Sequence, residues 1–215
     1  MIHKNIEQTS LEWFQIKWGK VGGTASKGLF VKSDTLFIEL LSQHLEEFEP
    51  SENFTNEAMQ RGKDLEPFAV EYAQKYTGIK FNSVGWIQSD ENSILGISPD
   101  GITDCETIAI ECKCFGRKKH TEILVSNEIP SENVHQLIHY FTVNPKLEKL
   151  YFCAFRPEAP KNFIKELTLE SEINLGTNAK PKITTIDEAV KLSKKNAKAL
   201  ENRLKKAVNE LTTKF

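Results

Sequence analysis

The sequence has no apolar run approaching the roughly 20 residues that span a bilayer, and its first five residues, 1–5, lack the apolar stretch of a signal peptide. Cysteine is also scarce. None of its four cysteines forms a CxxC pair, which leaves a zinc ribbon or a cysteine-ligated iron–sulfur cluster without support. A disulfide framework is not expected without signs of export. We therefore expect a cytoplasmic protein with free thiols and no membrane partner.

A strong net charge is absent as well, because 28 basic residues stand against 30 acidic ones and the formal charge is -2. This average hides a basic tail, since residues 185–215 carry eight cations and four anions, while the rest of the chain is acidic. Such a distribution suits a protein that holds divalent cations near a polyanion, and it equally suits an ordinary solvated surface. With 215 residues, 39% of them hydrophobic, the chain can bury its own core, which excludes intrinsic disorder.

Helical and extended segments alternate and predict an α/β fold, a central mixed sheet of about five strands with helices on both sides. We expect one domain over 1–215, comprising a helical N-terminal wall (1–50), a core (55–170) and a long basic helix (185–213). The periodicity and turn signals predict helices at 9–18, 24–26, 34–49, 55–77, 131–143 and 185–212. They predict strands at 80–88, 93–98, 107–114, 149–156 and 163–169, the first three forming a meander, and a loop at 171–183.

The 55–77 helix has the clearest periodicity, and Glu66 lies at the flank of its apolar stripe, about 90° from the centre. The stripe comprises Leu65, Phe68, Ala69, Tyr72, Ala73 and Tyr76. We expect this face to be buried. The 185–212 helix carries a 3-4 seam interrupted by Ser193, which fits packing against its own domain or, alternatively, against a partner.

Two carboxylates and a lysine are expected to meet at the 107–114 strand. Alternation along this strand places Glu111 and Lys113 on one face, opposite the apolar face with Ile110 and Cys112. The preceding turn can bring Asp100 next to them. Because neighbouring carboxylates repel one another, such a site is stable mainly with a cation, and oxygen ligands favour Mg²⁺ or Mn²⁺. A hard metal beside a lysine is suited to phosphodiester hydrolysis.

Each part of this pattern also has an ordinary explanation. Glu111 and Lys113 alone can form a surface ion pair, Asp100 can belong to a simple turn, and Glu66 can be one more solvated helix charge. The combination, followed by the basic run Arg117-Lys118-Lys119, is more specific. His135 and His139 are four residues apart and resemble a zinc pair, but no third ligand motif accompanies them.

The pattern Ser98-Pro99-Asp100-Gly101 followed by Ile110-Glu111-Cys112-Lys113 resembles the core motif of the PD-(D/E)xK nucleases. Within that superfamily the chain resembles the lambda exonuclease and YqaJ viral-recombinase group. Four further segments carry the resemblance: Trp13-x3-Lys17-x-Gly19, Thr24-Ala25-Ser26, the stretch from Arg61 to Glu66, and Gln136-x3-Tyr140, the last being the Gln-x3-Tyr motif of RecB-like nucleases. Lys17 stands where the family has a phosphate-binding arginine, and two extra residues, Gly22 and Gly23, separate it from Ser26.

The resemblance implies a role for each matching residue. Asp100, Glu111 and the backbone carbonyl of Cys112 would hold Mg²⁺, for which Mn²⁺ can substitute, with Glu66 assisting directly or through water. Lys113 would position the attacking water, and Gln136 and Tyr140 would hold the surrounding geometry. The residues expected to contact the DNA backbone are Lys17, Thr24, Ser26, Arg61, Arg117, Lys118 and Lys119.

The expected function is therefore that of a processive 5′→3′ exonuclease on double-stranded DNA ends, which leaves 3′ single-stranded tails for phage-type recombination. The resemblance also implies a single-strand annealing protein as partner, a trimeric homo-oligomer, and a location in a bacterial host or phage-infected cell. Two alternatives remain: a sequence- or structure-specific endonuclease of the same superfamily, and a DNA- or protein-binding module without catalytic activity.

Overall fold

The structure, a computed structural model, describes residues 2–3, 6–50, 57–176 and 180–213. The α-helices in this part of the chain are α1 (Leu11–Lys17), α2 (Thr35–Leu45), α3 (Glu57–Thr77), α4 (Arg117–Ser126), α5 (Ser131–Val143) and α6 (Ile186–Thr212). A 3₁₀ helix spans Thr24–Leu29. The strands are β1 (Ile2–His3), β2 (Trp86–Gln88), β3 (Gly96–Ile97), β4 (Gly101–Ile102), β5 (Ile108–Cys114), β6 (Lys149–Phe155), β7 (Phe163–Leu167), β8 (Glu172–Asn174) and β9 (Ile183–Thr185).

The strands form three sheets. The central sheet has the order β4-β5-β6-β7, in which β5 and β6 are parallel and the two outer pairs are antiparallel. A second sheet has the order β1-β2-β3 and is antiparallel, and β8 pairs with β9. The central sheet is thus mixed, as predicted, with four strands instead of about five.

Both faces of the central sheet are covered, which explains why β5 and β6 are rich in apolar residues. On one face, Ile110 and Cys112 pack with Ala69 and Ala73 of α3. On the other face, Ala109 and Phe152 belong to the main core, to which α5 contributes Leu137 among others. The residues that flank the predicted site are therefore fixed between two helical layers.

Sequence-encoded caps define the two terminal helices. Trp13 donates its backbone N–H to the Ser10 hydroxyl at 3.2 Å, which begins α1. At the start of α6, Thr185 and Glu188 form a reciprocal capping box. α6 then packs against α2 and α5, so its seam is used inside this chain, and the interrupting Ser193 is itself fully buried.

Most predicted elements are confirmed, and the differences have physical causes. The helix predicted at 34–49 ends at Leu45, and residues 55 and 56 lie outside the described residues. The prediction of a three-stranded meander is wrong. β3 pairs with β2, but β5 belongs to the central sheet, where it pairs with β4 and β6. α4 was not predicted, since its first turn is entirely polar, and the predicted 171–183 loop contains β8 and the first residue of β9.

The predicted apolar stripe of α3 is only partly buried. Ala69 and Ala73 are fully buried, whereas Phe68 and Tyr76 are 58% and 66% exposed, so the prediction that they face the core is wrong. Small alanines let α3 approach the sheet closely, and this leaves the bulkier neighbouring side chains outside the contact.

No helix in the described ranges is both long and apolar enough to cross a membrane.

Candidate active site

A tight antiparallel pairing brings Asp100 to the middle of β5. Gly101 pairs with Ile110 and Ile102 pairs with Ala109, so Asp100 lies one position further along, beside Glu111. The backbone N–H of Cys112 donates to Asp100 Oδ2 at 2.6 Å and fixes this carboxylate. A side chain on Gly101 would contact Phe81 at 2.7 Å, which explains why glycine follows the aspartate.

Glu111 is the centre of a buried hydrogen-bond network, with only 1% of its surface exposed. Its Oε1 accepts a hydrogen bond from Gln136 Nε2 at 2.7 Å and pairs with the Lys113 ammonium. Its Oε2 accepts a hydrogen bond from the Tyr140 hydroxyl. Gln136 and Tyr140 are one turn apart on α5 and therefore reach the same carboxylate. Three donors compensate for the burial of this charge.

Negative charge accumulates at this point of the molecule. Burial, followed by the charges of Glu111 and Glu66, raises the pKa of Asp100 well above its usual range. Burial and the Glu111 charge also raise the pKa of Glu66. Burial alone would lower the pKa of the Lys113 ammonium, but the Glu111 and Asp100 carboxylates outweigh it and raise that pKa. Three carboxylates thus share a single lysine.

The carboxylate oxygens of this site suit a hard divalent cation whose other ligands come from water and from a bound phosphate. Within the ranges that the structure describes, no three histidine, cysteine or carboxylate side chains form a complete metal-binding group. Mg²⁺ is usually held by one or two carboxylates, with water and phosphate oxygens completing the shell. The neighbouring carboxylates of Asp100 and Glu111 fit this pattern, and a cation would relieve their mutual repulsion. Glu66 acts on them electrostatically from α3.

The N-terminal segment fixes the loop that carries Asp100, a connection that the motifs did not reveal. The Trp13 indole N–H donates to Ser98 Oγ at 2.8 Å and to the Gly85 carbonyl at 2.9 Å. The Gln8 side-chain amide donates to the Pro99 carbonyl at 3.0 Å. These contacts link chain positions 72 to 91 residues apart, so single-sequence reasoning has no local signal for them.

His139 plays a similar part on the α5 side and was also missed. Its buried ring lies with Nε2 3.1 Å from the Val21 carbonyl and 3.0 Å from the Gly96 carbonyl. Burial lowers its pKa to about 4, so the ring is neutral and donates from Nε2. The zinc alternative gains no support, because neither His135 nor His139 belongs to a group of three possible metal ligands within the described residues. His135 instead packs its ring against Phe30.

The N-terminal residues that were predicted to bind DNA differ in their exposure to solvent and in their contacts. The Lys17 ammonium lies 3.4 Å from the Trp13 ring centroid, and burial lowers its pKa to about 8. Thr24 is exposed. Ser26 is fully buried, and its hydroxyl donates to the Gly23 carbonyl at 2.6 Å, so this hydroxyl caps the turn and does not face solvent.

The other predicted DNA contacts lie on helices. Arg61 Nη2 on α3 donates to both carboxylate oxygens of Glu158, at 2.9 and 3.1 Å. Arg117 and Lys118 occupy the exposed first turn of α4, and Lys119 pairs with Glu132 at 3.0 Å. The structure therefore brings together Asp100, Glu111, Lys113, Gln136 and Tyr140. The Glu66 carboxylate is close enough to raise the pKa of Asp100.

A mixed sheet with a helix on each face and a carboxylate–lysine pair on its central strand defines the PD-(D/E)xK class of folds. The family model of the YqaJ-like viral recombinase domain matches residues 12–146. The chain belongs to this family. The matched range includes the Trp13, Asp100–Lys113 and Gln136–Tyr140 segments from which the resemblance was inferred.

Similar structures share the fold. An alkaline exonuclease from Laribacter hongkongensis superposes with a TM-score of 0.77 at 23% identity, over 95% of this chain and 97% of that chain. The same exonuclease in complex with dAMP gives 0.73 at 22% identity, over 96% and 100%. A phage-related exonuclease from Haemophilus somnus gives 0.54 at 13% identity, over 89% and 96%. No curated protein sequence matches the chain significantly.

Proposed function

We propose that this protein is a Mg²⁺-dependent exonuclease that digests one strand of double-stranded DNA from the 5′ end and leaves a 3′ single-stranded tail for phage-type recombination. The observation that carries this proposal is the convergence of Asp100, Glu111 and Lys113 within the Gln136–Tyr140 network. Family membership and the exonuclease names of the structural neighbours support it.

Asp100, Glu111 and the Cys112 carbonyl would hold Mg²⁺ or Mn²⁺, with Glu66 assisting through water. The ion would neutralise phosphate oxygens and lower the pKa of a water molecule. Lys113 positions the attacking water and stabilises negative charge that develops on the phosphate. Gln136 and Tyr140 keep Glu111 in one orientation, because each donates to a different carboxylate oxygen.

The strand to be cut would be bound through its phosphates. Lys17 would be the main contact; its half-buried ammonium has no carboxylate partner among the described residues, which supports this role. Thr24, Arg117 and Lys118 are exposed and would extend the contact surface. Arg61 and Lys119 would have to exchange Glu158 and Glu132 for phosphate. Binding of this kind is independent of sequence and sensitive to salt.

The biological setting follows from the same proposal. A 3′ single-stranded tail is the substrate of a single-strand annealing protein, which would be the functional partner in the cytoplasm of a bacterial host or an infected cell. A trimeric homo-oligomer that encloses the duplex would account for processive digestion.

The deciding assay compares DNA with and without ends. A linear duplex labelled at either the 5′ or the 3′ end is incubated with Mg²⁺ or with a chelator, beside a closed circular plasmid of the same sequence. We expect the protein to release mononucleotides from the 5′ ends and to leave the complementary strand as a 3′ single-stranded tail. The plasmid should remain intact. Cleavage of the circle would favour the endonuclease alternative, and metal-independent binding without hydrolysis would favour the binding module.

A further inference from the structure

Two arginines converge on one glutamate at the edge of the candidate active site. Arg61 Nη2 donates to both carboxylate oxygens of Glu158, at 2.9 and 3.1 Å, and Arg156 Nη2 lies 3.3 Å from the same carboxylate. Two positive charges thus share one negative charge, and the cluster keeps an excess of positive charge. Guanidinium groups that hold a carboxylate in this way are equally suited to a phosphate.

The cluster lies at the carboxyl end of the strands that carry the site. Arg156 directly follows β6, whose residue Ala154 pairs with Lys113 of β5. Arg61 lies five residues before Glu66 on α3, about 7.5 Å along the helix axis. Successive phosphates of a nucleic acid strand have a comparable spacing. A strand whose scissile phosphate lies at the carboxylates would therefore place a neighbouring phosphate near these two arginines.

The side chains of the cluster differ in how firmly they are held. The Arg156 side chain is only 16% exposed, and its backbone N–H donates to Asn162 Oδ1 at 2.7 Å, so its position is fixed. The Glu158 side chain is 55% exposed and lies on the turn between β6 and β7. Because an exposed ion pair contributes little to stability, Glu158 can leave the arginines at small cost. The acceptor of the two arginines is thus exchangeable.

An open cleft of about 530 Å³ gives a polymer access to this cluster. Its lining comprises Gln60, Arg61, Asp64, Leu65 and Glu158. Asp64, the other carboxylate of the lining, is exposed and accepts a hydrogen bond from Gln60 Nε2 at 2.8 Å. Its charge is therefore screened by solvent, and Glu158 remains the acidic group in direct contact with the arginines.

We propose that Arg61 and Arg156 form a binding site for a phosphodiester of the strand being cut, next to the scissile phosphate, and that Glu158 occupies this site in the free protein. This rests on the proposed function, since it assigns a position to part of that enzyme's substrate. The phosphate replaces the carboxylate between the two guanidinium groups, and Glu158 turns toward solvent. Glu158 therefore competes with DNA and weakens its binding.

The first experiment measures the binding of a labelled, 5′-phosphorylated linear duplex by fluorescence anisotropy, in chelator so that no strand is cut. Glu158→Gln removes the competing charge and keeps one hydrogen-bond acceptor for Arg61. We expect it to bind DNA about two- to fivefold more tightly, as the loss of one exposed ion pair allows. A folding defect cannot produce tighter binding, and unchanged or weaker binding would overturn the proposal.

Glu91→Gln is the matched control for the lost charge. The Glu91 side chain is also 55% exposed and forms an ion pair with Lys194 at 2.8 Å, on the turn between β2 and β3. This variant removes the same charge from the protein without changing the arginine cluster, so it should bind DNA like wild type. An equal gain in affinity in the two variants would assign the effect to net charge and contradict the proposal.

Replacing the arginines provides the second test. Arg156→Gln should weaken binding roughly tenfold and reduce the slope of log affinity against log salt by about one, as expected for one lost phosphate contact. Arg156→Lys keeps the charge and should keep most of that slope. When both arginines are replaced by glutamine, the further change Glu158→Gln should no longer tighten binding. A gain that persists without the arginines would contradict competition at this site.

Duplexes with a single uncharged methylphosphonate linkage locate the phosphate. The scissile linkage of an exonuclease is the first of the strand, so its neighbour within the strand is the second. Neutralising the second linkage should weaken the binding of wild type roughly tenfold and that of Arg156→Gln less than twofold. Equal losses in both proteins would place that phosphate elsewhere. The affinity measurements need no hydrolysis, so they test the arginine site even if the protein cuts no DNA, whereas the proposed function depends on Mg²⁺-dependent release of nucleotides.

Discussion

Single residues at the site divide into those that carry charge and those that hold it in place. Asp100 and Glu111 carry the negative charge, while Lys113 offsets part of it. Gln136 and Tyr140 carry no charge and orient Glu111 from α5. This division predicts that removing a hydrogen-bond donor weakens the site less than removing a carboxylate does, and that it does so without unfolding the chain.

Tyr140→Phe tests this directly. The variant loses only the hydroxyl that donates to Glu111 Oε2, and we expect nuclease activity to fall by about 10- to 100-fold, as is typical when a partner of a metal-binding carboxylate is removed. Tyr151→Phe is the matched control, since its hydroxyl donates to the carboxylate of Glu166 at 2.6 Å, a residue on β7 outside the site. Steady-state rates of both variants check the prediction, and similar losses would contradict it.

The proposed contact between Lys17 and the 5′-phosphate predicts a response to that phosphate that depends on pH. The pKa of Lys17 is lowered to about 8 by burial, so the free protein has a charged ammonium at pH 7 and mostly a neutral amine at pH 9. The kcat/KM preference for 5′-phosphorylated over 5′-hydroxyl ends should therefore fall about tenfold as the pH rises from 7 to 9. Lys17→Arg should keep a flat preference, because arginine stays protonated. A flat wild-type profile would contradict this role.

At the scale of elements, the strand alternation in the sequence predicted that Glu111 and Lys113 share a face, and the turn before the strand was expected to bring Asp100 beside them; the structure does this through the β4–β5 pairing. The alternation did not show that Glu111 is buried, because the helix that covers it, α5, follows later in the chain and its packing is a tertiary effect. For the same reason the periodicity of α3 could not separate the buried Ala69 and Ala73 from the exposed Phe68 and Tyr76. Helical periodicity predicts which face of a helix is apolar. The size of the residues that contact the sheet decides which part of that face is buried.

The contact between the Gly23 turn and α5 leads to a prediction about packing. Gly23 has ordinary helical dihedral angles, φ -53° and ψ -47°, so only space restricts it. In Gly23→Ala, the new Cβ would approach Gln136 Cγ and Ile97 Cδ1 to 2.9 Å and push Gln136 away from Glu111. We expect activity to fall more than tenfold, by the argument used for Tyr140.

Gly62→Ala provides the contrasting case, since nothing lies within 4 Å of a Cβ at this helical position of α3. It should raise the free energy of unfolding by about 0.5–1 kcal/mol through helix propensity and leave activity unchanged. Urea unfolding and nuclease assays on both variants check the pair. Normal activity in Gly23→Ala would show that Gln136 is not positioned by this contact.

At the scale of the whole molecule, the N-terminal segment, the second sheet and α5 meet at one buried histidine. The His139 ring donates toward the Val21 and Gly96 carbonyls, and these positions are 118 and 43 residues away along the chain. Nothing in the local sequence around His139 signals this role, and the His135–His139 spacing pointed instead to a metal. Long-range hydrogen bonds of this kind are the part of the fold that a single sequence does not reveal.

The same histidine makes stability depend on pH. Its pKa of about 4 in the folded state is below the unfolded value of about 6.5, so its contribution is present above pH 6.5 and is lost as the pH falls toward 4. At pH 5 the loss should be about 2 kcal/mol relative to pH 7.5. Urea unfolding of wild type and His139→Gln at both pH values measures it. The variant should lose about 2 kcal/mol less on acidification, and parallel losses would contradict the neutral buried ring.

The central claim is that Asp100, Glu111 and Lys113 form one metal-dependent hydrolytic site. Its most direct test is the rate at which Lys113→Ala releases mononucleotides from a 5′-phosphorylated linear duplex in Mg²⁺, with DNA binding measured on the same preparation by fluorescence anisotropy. We expect hydrolysis to fall by at least about 10³-fold, a loss typical of removing a key transition-state contact, while DNA affinity changes little. Retained Mg²⁺-dependent hydrolysis in Lys113→Ala would contradict the account.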